Sequence, residues 1–178
     1  MVQGSRITTN FTLRVNGIDL TGKVKSVKPP SIKNQTENYR PGGYLAPVAR
    51  KLGLQPIEFE FTLFDCNPSL LSLSGLDNGN EISFILRQFI ESEDGSKHTL
   101  ITTGSGESID EDIGSIENEQ MSEDTYMYIL NNVRREYDGQ LIREVDVRRG
   151  IDRLGSNAGA IIDQALELRR ILQIGQNL

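Results

Sequence analysis

From Gln55 to Leu63 apolar and polar side chains alternate almost without a break, with Ile57, Phe59, Phe61 and Leu63 on one side and Glu58, Glu60 and Thr62 on the other. A period of two predicts a strand with one face in a core and the other in water. Phe11, Leu13 and Val15 alternate with Thr12 and Arg14, and then Asn16-Gly17 supplies the two positive-φ positions of a type I′ hairpin turn. The return strand is predicted from Ile18 to Val27 with Gly22 as a bulge. The polar start, Met1 to Asn10, reads as frayed or recruited to a neighbour. A second hairpin joins Ile82–Ile90 to His98–Thr103 across Asp94-Gly95. A third pairs Thr125–Val133 with Gln140–Val145 across a turn that includes Tyr137-Asp138-Gly139.

Two segments carry helical signals. Asn67 followed by Pro68 is an N-cap with proline at the first helical position, predicting a short helix through LLSLSGL to a stop at Gly75. From Asn157, Ile161, Ile162, Ala165, Leu168, Ile171 and Leu172 recur at spacings of three and four, which predicts a C-terminal helix over 157–174. Many short strands with turn signals between them make the chain mainly β, a β-barrel or sandwich with a short flanking helix and a C-terminal helix, in one domain spanning residues 1–178.

Between the first two strand regions lies a long polar interruption, residues 28–54. Pro29, Pro30, Pro41, Gly42, Gly43 and Pro47 favour a local extended-and-turn path over a continuous helix or ladder. Connections of this length are functional or disordered, and Tyr39, Tyr44, Leu45 and Val48 are more apolar bulk than a solvated linker carries. The stretch reads as an arm that packs on another molecule.

Charge and candidate chemistry narrow the function. The chain of 178 residues has a formal charge of −6, yet residues 107–124 hold eight acids and no base, which leaves the rest at +2. No strongly basic face for gripping nucleic acid follows from this. The acidic run reads as a loop; an EF-hand starting at Asp110 fails, because Gly114 and Ser115 stand at its fifth and sixth positions and Met121 where Glu belongs. One cysteine, Cys66, and one histidine, His98, give neither a disulfide framework nor a Cys/His metal cluster. No Ser or Cys nucleophile accompanies His98 by motif, and GSGES at Gly104 lacks the Lys-Ser/Thr ending of a P-loop. Neither an enzyme nor a cofactor nor a metal is expected. No run of about 18 apolar residues and no charged-then-apolar leader is seen, so no membrane anchor or secretory signal is expected.

Against that background VNGIDLTGKVKSVKPPSIKNQTENYRPGGYLAPVARKLGL resembles the N-terminal half of the major tail tube proteins of contractile-tailed bacteriophages and phage-tail-like bacteriocins. The matching features are Asn16-Gly17, Gly22 with Ser26-Val27, Pro30, Glu37 with Tyr39-Arg40 and Gly42-Gly43, Ala46-Pro47 and Leu52-Gly53-Leu54. EYDGQLIREVDVRRGIDRL, residues 136–154, is similar to the family's closing strand pair and its G-[VI]-D-x-L ending, after which family members soon finish. The resemblance implies a β-barrel with a short helix, similar to the tube protein of type VI secretion. It also implies hexameric rings stacked into a hollow tube, located in the virion tail and assembled in the bacterial host cytoplasm. The implied partners are tail sheath, baseplate, tail terminator and tape-measure proteins, with DNA passing through unbound. On this reading Tyr39, Arg40, Pro41, Gly42, Gly43, Tyr44, Leu45 and Val48 form the inter-ring interface, and Glu58, Glu60 and Thr62 face the lumen. Asp110, Glu111 and Asp112 pair with Arg134, Arg135, Arg148 and Arg149 of neighbouring subunits. The alternative is a tube subunit, or a soluble cargo or effector, of a type VI-like secretion system.

Overall fold

The computed structural model describes residues 6–65, 67–72, 81–114 and 122–155, together with the backbone of 161–163. In chain order the elements are β1 (Arg6–Val15), β2 (Ile18–Asp19), β3 (Val24–Lys28), β4 (Asn34–Tyr39), β5 (Val48–Leu54), β6 (Ile57–Leu63), α1 (Pro68–Leu71), β7 (Glu81–Ser92), β8 (Lys97–Ile113), β9 (Asp124–Tyr137), β10 (Gln140–Asp146), β11 (Ile151–Leu154) and β12 (Ile161–Asp163). Ten strands form one antiparallel sheet, and β4 with β5 form a separate two-stranded one. The chain is mainly β and sandwich-like.

Strand β9 organises the sheet. Along one edge it pairs with β8 over its whole length. Its other edge is divided: residues 124–130 pair with β6 and residues 132–137 with β10. From β8 the sheet continues through β7 to β1 and β2, while β3 extends it beyond β6. The alternation read in the sequence becomes burial, since Ile57, Phe59, Phe61 and Leu63 are enclosed and Glu58 is exposed. Phe59 of β6 stacks on Phe84 of β7 at 4.0 Å between centroids. These strands stand three places apart in the sheet, about 14 Å if it were flat. The sheet therefore curls until β6 and β7 face each other across the core, and Phe61, Tyr126 and Tyr128 extend the aromatic layer beside them. The hydrogen-bonded path does not close into a barrel. Its gap, between β2 and β3, is bridged by the chain itself at Leu20–Lys23.

The first hairpin forms as predicted, with Val15 opposite Ile18 and positive φ at Asn16 (50°) and Gly17 (83°). Its return strand differs. Only Ile18 and Asp19 pair with β1, and Gly22 (φ 80°) sits in a turn that hands the chain to β6, so it is no bulge. Arg6–Asn10, expected to be frayed, belongs to β1 and pairs with β7, where Ile90 and Phe89 supply a long partner. The Asn67 cap is present, its side chain accepting the Ser69 N–H at 3.1 Å, but the helix is four residues long. The predicted stop at Gly75 lies outside the described residues. At the C-terminus, β-branched Ile161 and Ile162 form β12 on β11 instead of a first helical turn. The rest of 157–174 is outside the described residues.

The acidic segment is also corrected. Glu107, Asp110, Glu111 and Asp112 are not on a loop but on β8, which runs on to Ile113 because β9 offers an edge as far as Asp124. A bulge between Ser108 and Asp110 leaves Ile109 unpaired. At the opposite end of the sheet the hairpin tips are clasped together. Asp138, in the β9–β10 turn, accepts the Thr99 N–H at 2.8 Å and lies 2.7 Å from His98 Nδ1, and His98 stacks on Tyr137.

Two outcomes test these assignments. A Cβ at Gly106 would overlap the Ile129 carbonyl oxygen, and backbone cannot move aside as a side chain can. Gly106→Ala should cost about 2 kcal/mol or more, a fall of about 4–8 °C in Tm, whereas Gly42→Ala, with open space around it, should leave the melt unchanged. The bond from Thr99, and then His98, hold the Asp138 carboxyl below its ordinary range. A depressed carboxylate pKa contributes stability above the unfolded value near 4, lost as pH falls through the folded one. Asp138→Asn, which keeps a residue suited to positive φ, should flatten the dependence of Tm on pH between about 5 and 3.

Candidate functional site

The arm of residues 28–54 is a hairpin, not the ladder-free path its prolines and glycines favour. Asn34–Tyr39 pairs with Val48–Leu54, and the prolines fall outside the ladder, at its root and in its tip. Tyr39 and Val48 face each other at the last rung, and residues 40–47 close the end. Within that tip the Tyr44 N–H bonds to the Pro41 carbonyl at 3.2 Å around Gly42-Gly43. Gly43 takes φ 91°, a value that only glycine adopts cheaply. Arg40 Nε donates to the Tyr44 carbonyl at 3.1 Å, so the tip is folded. Yet among the described residues its apolar side chains stay uncovered. Tyr39 and Tyr44 are half exposed and Leu45 is 98% exposed.

At its root the arm is held firmly. Pro30 is buried, Ile32 and Leu54 pack on the core, and the Gln55 N–H bonds to the Lys33 carbonyl at 2.9 Å. Arg135 donates to the Pro30 carbonyl. Burial lowers the pKa of that guanidinium, and the charge of Arg143 beside it adds to the effect.

A second feature is the outward face of β6, β9 and β8. Register places Glu58 beside Ile129 and Glu107, Glu60 beside Met127 and Asp110, and Thr62 beside Thr125 and Asp112. Five carboxylates thus share the face of three adjacent strands. Two have bases at its margins: Lys28 lies 2.9 Å from Glu60, which raises the lysine pKa, and Arg148 lies 2.7 Å from Glu107. Thr62 and Thr125 hydroxyls meet at 3.2 Å. Sequence reading found Glu58, Glu60 and Thr62 but missed that Glu107, Asp110 and Asp112 join them, because their period of two was hidden by the bulge at Ile109. Because β6 and β7 face each other across the core, this acidic face lies back to back with the outer face of β7, which bears Ile85, Arg87 and Phe89.

The arginines expected to meet acids of neighbouring subunits have acceptors within the chain. Arg134 bonds Glu136 at 2.7 Å, Arg148 bonds Glu107, Arg149 lies 3.6 Å from Asp146, and Arg135 holds Pro30. Glu111 lies opposite Tyr126 on the core-facing side and does not join Asp110 and Asp112. Its charge and, above all, burial raise the pKa of the Tyr128 phenol. His98 does have a serine after all, with Ser96 Oγ 3.1 Å from Nε2. That hydroxyl donates to Asp94 at 2.6 Å, so its proton is committed away from the imidazole and it is not set up as a nucleophile. No group of acids, cysteines or histidines suited to a metal ion occurs among the described residues. None of their helices is long and apolar enough to cross a membrane.

Comparison with known proteins bears on what such a surface is for. In its fold the chain is similar to a chain of the anti-feeding prophage (AFP) baseplate, solved by cryo-electron microscopy. That match has 12% identity and a TM-score of 0.45, and covers 71% of this chain and 90% of that one. It is also similar to Hcp1 from Salmonella typhimurium, with 17% identity, a TM-score of 0.46 and coverage of 80% and 97%. No individually characterised protein sequence matches it. The family model for phage tail tube protein FII matches residues 5–171, nearly the whole chain. This chain belongs to the phage tail tube protein FII family, structural proteins of the virion tail.

Proposed function

We propose that the chain is the repeating subunit of a contractile tail tube, closing into hexameric rings that stack around a channel for DNA. The observation that carries this reading is the arm: a firmly rooted hairpin whose apolar tip is left exposed among the described residues. Covering one side chain such as Leu45 is worth about 1.5–3 kcal/mol, and a subunit repeated many times gains that at every contact. A closed ring needs one heterologous interface and a stack needs a second along its axis. The arm residues Tyr39, Arg40, Pro41, Gly42, Gly43, Tyr44, Leu45 and Val48 serve the second. Sheath, baseplate, terminator and tape-measure proteins would meet the assembled tube, not the lone subunit.

The acidic face serves as the channel wall. DNA is a dense polyanion, and a wall bearing Glu58, Glu60 and Glu107 keeps it from adhering during passage. Thr62 lines the same wall without adding charge. Nothing in this function requires catalysis, a cofactor or a metal.

Electron microscopy of the purified chain should show rings and tubes; dispersed monomers would favour a soluble cargo. Deleting Glu37–Val48 should leave a folded body that forms isolated rings at most, and full-length tubes from that deletion would remove the arm from stacking. Reversing Glu58 and Glu60 to Lys should leave tubes in micrographs yet make them retain double-stranded DNA at low salt. Tubes that still shed DNA would show that these side chains do not line the channel.

A further inference from the structure

His98 is the chain's only histidine, and it stands where the tips of the β7–β8 and β9–β10 hairpins meet. Its Nδ1 lies 2.7 Å from Asp138 Oδ2 in one turn, and its Nε2 lies 3.1 Å from Ser96 Oγ in the other. Ser96 has a single hydroxyl hydrogen. It goes to Asp94 Oδ1 at 2.6 Å, the same oxygen that accepts the Ser96 N–H at 2.9 Å. Toward the imidazole Ser96 Oγ is therefore left only to accept. Asp138 also only accepts, because the Thr99 N–H and then His98 hold its carboxyl below the ordinary range and so ionised at neutral pH. Asp94 is held ionised in the same way, first by the Ser96 hydroxyl and then by the Ser96 N–H. Both ring nitrogens thus face acceptors, and only an imidazolium has two N–H groups to give them.

We propose that His98, Asp138, Ser96 and Asp94 form a proton-operated clasp between the two hairpin tips, closed when the imidazole carries two protons and opened on its Ser96 side when one leaves. The clasp is built within one chain and does not rest on the tube reading. A neutral ring keeps its Nδ1–H on the Asp138 carboxylate, where the bond is charge-assisted. Its Nε2 then presents a lone pair to the Ser96 oxygen. Either the hydroxyl turns to Nε2 and abandons Asp94, or two lone pairs oppose each other; one hydrogen bond is lost both ways.

The surroundings suit a ring that gains and loses charge. Its side chain is 24% exposed, enough for a proton to come and go yet sheltered enough for each contact to count. On β7 the residue opposite His98 is apolar Ile90, and on β9 the Tyr137 ring stacks on the imidazole at 5.2 Å. Strand β1 brings Arg6, whose guanidinium lies 5.6 Å from the centre of the Tyr137 ring. Arg135, the next residue along that side of β9, is engaged by the Pro30 carbonyl. Lys97 and Glu91 are paired with each other on the opposite side of the sheet. Two carboxylates, Asp94 and Asp138, against the one guanidinium of Arg6 leave room for a second positive charge. A group that gains bonds on protonation stabilises the fold on the acid side of its titration, and that contribution is lost as pH rises. Asp138 acts in the opposite sense, its contribution being lost as pH falls below about 4. The clasp is complete only between these limits, and a histidine changes charge between pH 5 and 8.

With one histidine in the chain, the experiment reads it directly: the ring nitrogens of the full chain, labelled with nitrogen-15, are followed by NMR from pH 5 to 8, in solution or by magic-angle spinning where the chain assembles. At the acid end both nitrogens should carry protons, and at the basic end the remaining proton should sit on Nδ1, where Asp138 holds it. Thermal melts over the same range supply the second readout. Wild-type Tm should fall by about 2–4 °C from pH 6 to 8, while that of His98→Gln should stay level. Ser96→Ala, which removes the acceptor from Nε2 and leaves Asp138 in place, should move the ring titration to lower pH by about half a unit or more. A neutral ring that carries its proton on Nε2, or a wild-type melt with the same pH slope as His98→Gln, overturns the clasp. If His98→Gln does not fold, the wild-type ring spectrum and the Ser96→Ala titration decide: a ring titration unmoved by Ser96→Ala overturns it as well.

Discussion

One strand edge can hold one partner at each position, and the fold is arranged around how β9 divides its own. Residues 124–130 accept β6 and residues 132–137 accept β10, so both partners must end beside Asn131. The Val147 N–H bonds to the Asn131 carbonyl at 2.8 Å and closes the junction. Upstream of Ile57 the chain has no edge left to follow. Pro56, lacking an N–H, cannot continue the ladder, and Pro29-Pro30 end the partner strand β3 just past Lys28. Both ends of the same segment are expelled at one place. The arm is what the chain does there: finding no pairing on the body, it pairs with itself.

That explains why the arm is held tightly at the root and carries its apolar tip in water. Its backbone is satisfied internally by the β4–β5 ladder, so no hydrogen bond drives it onto the body. Its apolar tip side chains are left exposed. Arg135, half buried, spends its charge on the Pro30 carbonyl at this root although Arg143 next to it opposes a second positive charge there. Arg143 in turn holds Asp152 at 2.9 Å, which keeps the two guanidiniums tolerable side by side.

Local rules were legible in the sequence wherever one residue type decides the backbone. Asn16-Gly17, Asp138-Gly139 and Asn67-Pro68 occupy the turn and cap positions their chemistry predicts, and the alternation of β6 gives both its core and its wet face. What failed were strand lengths and partners, which depend on distant edges. Arg6–Asn10 and Glu107–Ile113 are too polar to announce themselves as strand, and they become strand because β7 and β9 extend far enough to pair with them. Ile161 and Ile162 fit a helical stripe equally well, and an available edge on β11 decided against it. The candidate site shows the same split. The arm was visible from its prolines and misplaced aromatics, but the breadth of the acidic face was not, since its acids come from β6 and β8, which are not neighbours in the chain and meet only through β9.

The acids of that face carry an electrostatic cost that the subunit alone does not resolve. Lys28 and Arg148 answer Glu60 and Glu107 at its margins, while Glu58, Asp110 and Asp112 stay open to solvent. In an isolated chain water screens them within about 10 Å at 0.1 M salt. Around a channel the same acids from successive subunits would converge, and repulsion would rise as the enclosed volume shrank. A subunit that both lines a channel with negative charge and stacks must therefore place its cohesion elsewhere. Here the apolar and basic groups that could supply it are removed from the wall and carried on the arm, about 20 Å along β6 from the acidic strand end. In the proposed assembly, repulsion in the channel and attraction between rings would thereby be separated in space.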